Sequence, residues 1–260
     1  MNQVVKLTKP QEPWIGSRGR IAVILPSTNI GVEYDCQRLI PPGVTWHFCR
    51  FFVEHPDLSD DNMFLAFIDA IRDTIPDAMR DAMTCEPSQI MMGMSAETFW
   101  GGLEGNVEFT ERLREVAGDE IGITTGANAL DASLKAFGAK KVAALTPYQP
   151  IGDEQVHRFL EETGYEVSKV VGLKCDTATS IAHTPPREVI DVVLNQLDSD
   201  DVDAIVQAGT NLTTIDLFPT LEKQLGKPII PINVATIWHT FRTIGVDDKF
   251  IGRGWLLEKF

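Results

Sequence analysis

Four short segments hold most of the side chains that could do chemistry. They are Pro26-Ser27-Thr28-Asn29, Gly93-Met94-Ser95-Ala96-Glu97, Thr146-Pro147-Tyr148 and Gly209-Thr210-Asn211. Each joins a turn former to hydroxyl or amide groups, and each follows a short apolar run. Where such a segment opens a helix, the first backbone N–H groups have no intrahelical acceptor, and the helix dipole adds partial positive charge. That arrangement seats an anion. Ser27, Ser95 or Thr210 taken singly reads as an ordinary helix cap. Taken together, four such ends suit a small carboxylate and the oxyanion or enolate its reaction would develop.

Acid–base candidates are fewer. Glu97 lies next to Ser95 and is a candidate base, and His183 and His239 are single histidines able to titrate near neutrality. Glu33 and Asp35 follow the first segment, where they either reach the site or cap a helix. The cysteines at 36, 49, 85 and 175 form no C-x-x-C pair and have no histidines at zinc-site spacing. They read as reduced thiols. No phosphate-binding loop, H-E-x-x-H, G-x-S-x-G or post-strand G-x-G-x-x-G occurs, so nucleotide, zinc-protease and serine-hydrolase chemistry have no support.

These segments need a frame to bring them together, and the remaining chain supplies one. Its 260 residues, 43% hydrophobic, suffice for one large domain or two of ordinary size. A net charge of −14 disfavours nucleic acid and anionic membrane surfaces as partners. No apolar run approaches the ~18 residues of a membrane span. Met1 to Pro13 is polar and lacks a signal-peptide core, so the expected location is the cytoplasm. Continuous apolar runs such as Arg20–Pro26, Gln89–Gly93, Val142–Leu145 and Ala204–Ala208 read as strands buried on both faces. Helical patterns lie between them, among them Ser59–Ala82, with Ser59 as cap and a break at Pro76. This alternation predicts an α/β fold with parallel sheets.

The two halves also resemble each other. Arg20–Pro26 matches Lys141–Pro147, and Leu113–Gly118 matches Leu221–Gly226, in the same order. A duplicated unit would set Gly93 and Gly209 facing each other across a cleft, at strand carboxyl ends where parallel sheets bind ligands.

On these segments the chain resembles the aspartate/glutamate racemase superfamily, in its maleate cis-trans isomerase and arylmalonate decarboxylase branch. Pro26-Ser-Thr-Asn29 with Glu33 is similar to the first isomerase motif, in which the Asn binds a substrate carboxylate. Leu145-Thr-Pro-Tyr148 is similar to the branch's tyrosine motif, in which the phenol donates to a carboxylate or enolate. Ile181-Ala-His-Thr-Pro185 is similar to a segment that usually carries Arg in place of His183. Gly209-Thr-Asn-Leu212, with Leu225-Gly-Lys-Pro228 downstream, is similar to the second active-site motif. The resemblance implies two similar Rossmann-like domains, each with a parallel four-stranded sheet, related by a pseudo-twofold axis with the site in the cleft between them. The expected boundaries are 17–121 plus 236–260, and 122–235. It implies no metal and no organic cofactor, and it leaves monomer and homo-oligomer both open.

The family's reactive cysteines align with Gly93 and Gly209, so both thiols are missing. The expected catalytic set is Tyr148, Ser95, Glu97 and His183. The expected substrate-binding set is Ser27, Thr28, Asn29, Gly93, Met94, Gly209, Thr210 and Asn211. The function expected is an isomerase or decarboxylase-like lyase acting on a small carboxylate by non-thiol chemistry. Two alternatives stand beside it: a hydrolase of a small cyclic amide or related metabolite, and a carboxylate-binding protein or sensor that has lost catalysis.

Overall fold

A computed structural model describes residues 14–54 and 56–260. The chain alternates strands with helices because apolar runs of three to eight residues are too short for helices and are separated by amphipathic stretches. The first half runs β1 (Gly19–Pro26), α1 (Gly31–Gln37), β2 (Val44–Phe51), α2 (Asp61–Arg72), α3 (Ile75–Met83), β3 (Gln89–Met92), α4 (Ala96–Phe99), α5 (Gly102–Ala117), β4 (Gly122–Thr124) and α6 (Gly126–Phe137). The second half runs β5 (Lys141–Thr146), α7 (Pro150–Glu162), β6 (Glu166–Gly172), α8 (Ala178–Ala182) and α9 (Pro186–Val192), which passes into a π-helical turn at Val193–Leu197. It continues with β7 (Ala204–Gln207), α10 (Phe218–Leu225), β8 (Ile229–Pro231), α11 (Ile232–Thr243) and α12 (Trp255–Lys259).

The strands form two parallel four-stranded sheets of identical topology, β2-β1-β3-β4 and β6-β5-β7-β8. β1 corresponds to β5 and β3 to β7, as the internal similarity predicts. By register, Gly93, whose N–H donates to Ile24 O, corresponds to Ala208, whose N–H donates to Leu145 O, and Gly209 lies one residue further along than the expected equivalence of the two glycines.

The expected break at Pro76 is present: α2 ends at Arg72, and Pro76 sits in the first turn of α3. The cap of α2 is Asp60, whose carboxylate accepts from Met63 N–H, and not Ser59. β4 pairs with β3, so the first sheet runs through Thr124. At the other end, α11 starts at Ile232 and packs against α6 and β3, returning the chain to the first lobe.

The packing explains how the lobes hold one geometry. On β5, Val142 and Ala144 join a core shared with the first lobe, while Ala143 and Leu145 face α9 and α10. The period-two alternation of a strand thus splits the second sheet between a common core and a local one. α7 also packs on α5, across the lobes. Among the described residues, no helix is long and apolar enough to cross a membrane.

Candidate active site

The carboxyl ends of β1, β3, β5 and β7 meet at a cleft of about 60 Å³ between the lobes. One wall is apolar: Leu58, Phe64, Phe67, Met94 and Ile181. The other is polar but uncharged: Thr28, Asn29, Ser95, Tyr148, Thr210 and Asn211. Gly209 is part of the lining, and among the described residues no cysteine or charged side chain is.

Ser95 and Tyr148 organise the polar wall. The phenol donates to Ala208 O at 2.8 Å. A phenol has one proton, so the 2.7 Å contact between Ser95 Oγ and Tyr148 OH has Ser95 as donor. Ser95 Oγ in turn accepts from Thr210 N–H at 3.2 Å. The result is a directed chain from the Thr210 amide through Ser95 and Tyr148 to the Ala208 carbonyl, joining the ends of β3, β5 and β7. Burial holds the Tyr148 phenol protonated far above neutrality, with the Ser95 hydrogen bond opposing. The phenol is therefore no base for Ser95, and the pair serves as hydrogen-bond donors in preference to a nucleophile and its activator. Phe64, 5.6 Å from the Tyr148 ring centroid, backs the phenol on its ring face.

Asn29 and Asn211 line the cleft and also hold the start of α1. Asn211 Oδ1 accepts from Ile30 N–H at 2.9 Å and Gly31 N–H at 3.0 Å, and Asn29 Oδ1 accepts from Val32 N–H at 3.0 Å. The first turn of α1 is therefore capped by the protein's own amides, one of them from the opposite lobe, and its N–H groups do not form an anion seat. Asn29 Nδ2 also donates to Thr210 Oγ1 at 3.2 Å. The close approach needs Gly31: a Cβ there would stand 3.0 Å from Thr210 O and 3.1 Å from Asn211 O.

Other expected residues fall outside the cleft. Ser27 Oγ accepts from Val53 N–H at 2.9 Å and ties β1 to the chain leaving β2. Gly93 is buried behind the lining and donates from its N–H to Ile24 O. Glu97 is turned away: its Oε1 accepts from Arg72 Nε at 2.7 Å and Arg112 Nη2 at 3.1 Å, on the far side of α4. At 1% exposure it anchors that short helix from beneath. His183 is exposed just after α8, although Ile181 on the same helix lines the cleft. His239 is half-buried on α11, and burial lowers its pKa. Cys36 is buried in α1, Cys49 lies in β2, Cys85 follows α3 and Cys175 lies between β6 and α8, and burial raises the pKa of Cys36, Cys49 and Cys175. Among the described residues, no group of three or more His, Cys, Asp or Glu is placed to hold a metal ion.

The apolar wall is what sequence reasoning missed. Phe64 and Phe67 lie in a helical pattern that signals burial, but the pattern does not say whether they bury against the core or a cleft.

The sequence pattern of the arylmalonate decarboxylase family matches residues 57–257. The chain belongs to that family. Its relatives include the maleate isomerase of Alcaligenes faecalis, 24% identical over 92% of this chain and 96% of that one. The arylmalonate decarboxylase of Bordetella bronchiseptica is 24% identical over 68% of this chain and 73% of its own. The maleate cis-trans isomerase of Nocardia farcinica, solved bound to TRIS, superposes with a TM-score of 0.82 at 23% identity, over 92% of this chain and 98% of that one. A cysteine-to-serine mutant of that isomerase was solved with a covalently bound succinylcysteine intermediate. These relatives are enzymes, an isomerase and a lyase, and the α/β architecture of two parallel four-stranded sheets is theirs.

Proposed function

We propose that this member of the family is a cofactor-free decarboxylase-type lyase that acts on a small dicarboxylate through an enolate, without a thiol. The observation that carries the proposal is the composition of the cleft, which pairs apolar side chains with hydroxyl and amide donors and, among the described residues, has no cysteine in its lining. A thiol-adduct isomerisation needs a sulfur nucleophile. Decarboxylation needs none. A carboxylate pressed against Leu58, Phe64 and Phe67 loses solvation, which favours its departure as neutral CO₂. The C–C bonding pair then moves onto the second carboxylate, giving an enolate. Its oxygens compete with Ala208 O for the Tyr148 proton, and with the phenol oxygen for that of Ser95. A proton from water completes the product at the carbon that lost CO₂.

The test offers the purified chain phenylmalonate and maleate, with and without iodoacetamide and EDTA. Release of CO₂ from the malonate, insensitive to both reagents, is the expected result. Turnover of maleate to fumarate, abolished by alkylation of one cysteine, would overturn the proposal.

A further inference from the structure

Asp35 is a carboxylate that the proposed reaction leaves unused. It lies on α1 with no solvent exposure and faces the turn that follows β7 in the opposite lobe. Thr213 Oγ1 donates to its Oδ1, and Asn233 Nδ2 donates to its Oδ2 at 2.8 Å. The same Asn233 nitrogen gives its second hydrogen to Thr210 O, also at 2.8 Å. Thr210 N–H is the donor to Ser95 Oγ. A continuous set of hydrogen bonds thus runs from Asp35 through Asn233 and Thr210 to Ser95 and Tyr148.

We propose that the carboxylate of Asp35 is a positioning residue for the reaction, holding through Asn233 the Thr210 peptide that orders Ser95 and Tyr148. The inference rests on the reading that these two hydroxyls face the substrate. The charge of Asp35 matters because both of its contacts are donors. A carboxylate accepts on both oxygens. A carboxylic acid carries a proton on one of them: on Oδ1, the Thr213 hydroxyl turns to accept it and the Asn233 bond to Oδ2 loses its charge assistance, and on Oδ2, Asn233 must turn away. With no exposure, water cannot take the place of the lost partner.

The surroundings set where that change occurs. Burial raises the pKa of Asp35 to about 7, although Thr213 and Asn233 oppose the shift. Asp216, from the same turn, raises it further, and Arg38, from α1, lowers it. Asp216 is itself held by Tyr34, Arg38 and Arg253. From α11 the facing polar group is the neutral Asn233. The clamp on Thr210 is therefore complete above about pH 7 and loosens below it.

The test uses the full chain. In ¹H–¹⁵N spectra from about pH 5.5 to about 8.5, the Thr210 amide resonance of the wild type should shift with a midpoint near 7. In Asp35→Asn it should stay at its low-pH position throughout. For phenylmalonate, kcat/KM should fall about tenfold per pH unit below the midpoint. Asp35→Asn should lose that limb, and Asp153→Asn, which removes a half-buried carboxyl bonded to Thr146, should keep it. A wild-type Thr210 resonance with no such step, or an unchanged limb in Asp35→Asn, overturns the proposal. The wild-type titration decides even where Asp35→Asn fails to fold. A Thr210 step in a chain that turns over no carboxylate would sink the decarboxylase proposal and leave the positioning of the turn by Asp35 intact.

Discussion

Tyr148 donates one proton and accepts another, and both partners belong to the cleft wall. Tyr148→Phe removes the donor to any developing oxyanion and leaves Ala208 O without its partner. The expected effect is a loss of about 10²-fold in kcat, against a stability cost of about 1–3 kcal/mol for the orphaned carbonyl. Steady-state kinetics with urea melts separates the two, and unchanged kcat would remove the phenol from the mechanism. Gly209 is the second informative residue. A Cβ there would fall 2.5 Å from Pro147 Cγ and 3.3 Å from Gln207 Nε2. The space a thiol would need is filled by the proline ring. Gly209→Cys should therefore lower stability by about 1–3 kcal/mol through overpacking, read as a drop in the urea midpoint. At Gly93 the fit is less severe, with Leu25 Cβ 3.0 Å and Val32 Cγ1 3.1 Å away.

At the scale of elements, the docking of α1 on the turn after β7 sets the shape of the cleft. Asn211 accepts two N–H groups of the opposite lobe and donates to Ala178 O at 2.8 Å, so one side chain joins three segments of the wall. Asn211→Ala should cost about 1–3 kcal/mol. It should raise KM more than it lowers kcat, because it loosens the wall without removing a donor to the reacting oxygen. A kcat effect larger than the KM effect would place Asn211 in the chemistry itself. The neighbouring element α4 is only four residues long and depends on tertiary contacts for its position. Glu97 supplies them by pairing with Arg72 of α2 and Arg112 of α5. Its proximity to Ser95 in sequence suggested a base. The phase of the helix turns it to the opposite side.

At the scale of the molecule, two buried carboxyl groups, Asp35 and Glu222, and the half-buried Asp153 make stability depend on pH. Burial raises Asp35 and Glu222 to about 7 and Asp153 to about 6. In the unfolded chain such groups titrate near 4. Between these values the folded state binds more protons than the unfolded state, so stability falls as pH rises from about 4 to about 7. Asp201, pulled down to about 2 by Lys141, works in the other direction and loses its contribution below about 4. The net charge of −14 at pH 7 adds self-repulsion toward higher pH. Calorimetry should give a higher Tm near pH 5 than near pH 8, and a rise in Tm across that interval would contradict the assignment.

The sequence by itself determined the alternation of strands and helices, the duplication of the unit and the strand ends that meet at the cleft. Those features follow from local periodicity, from turn residues and from the resemblance of short ordered motifs. Tertiary structure alone decided which polar groups face the cleft. Asn29 and Asn211 cap α1, Ser27 ties down a strand end, Glu97 faces two arginines and His183 faces solvent. Asp35 takes its partners from residues 178 and 198 positions away. The direction of a side chain depends on the partner that satisfies it. Here those partners lie in either lobe, most of them at sequence separations over which local pattern carries no information.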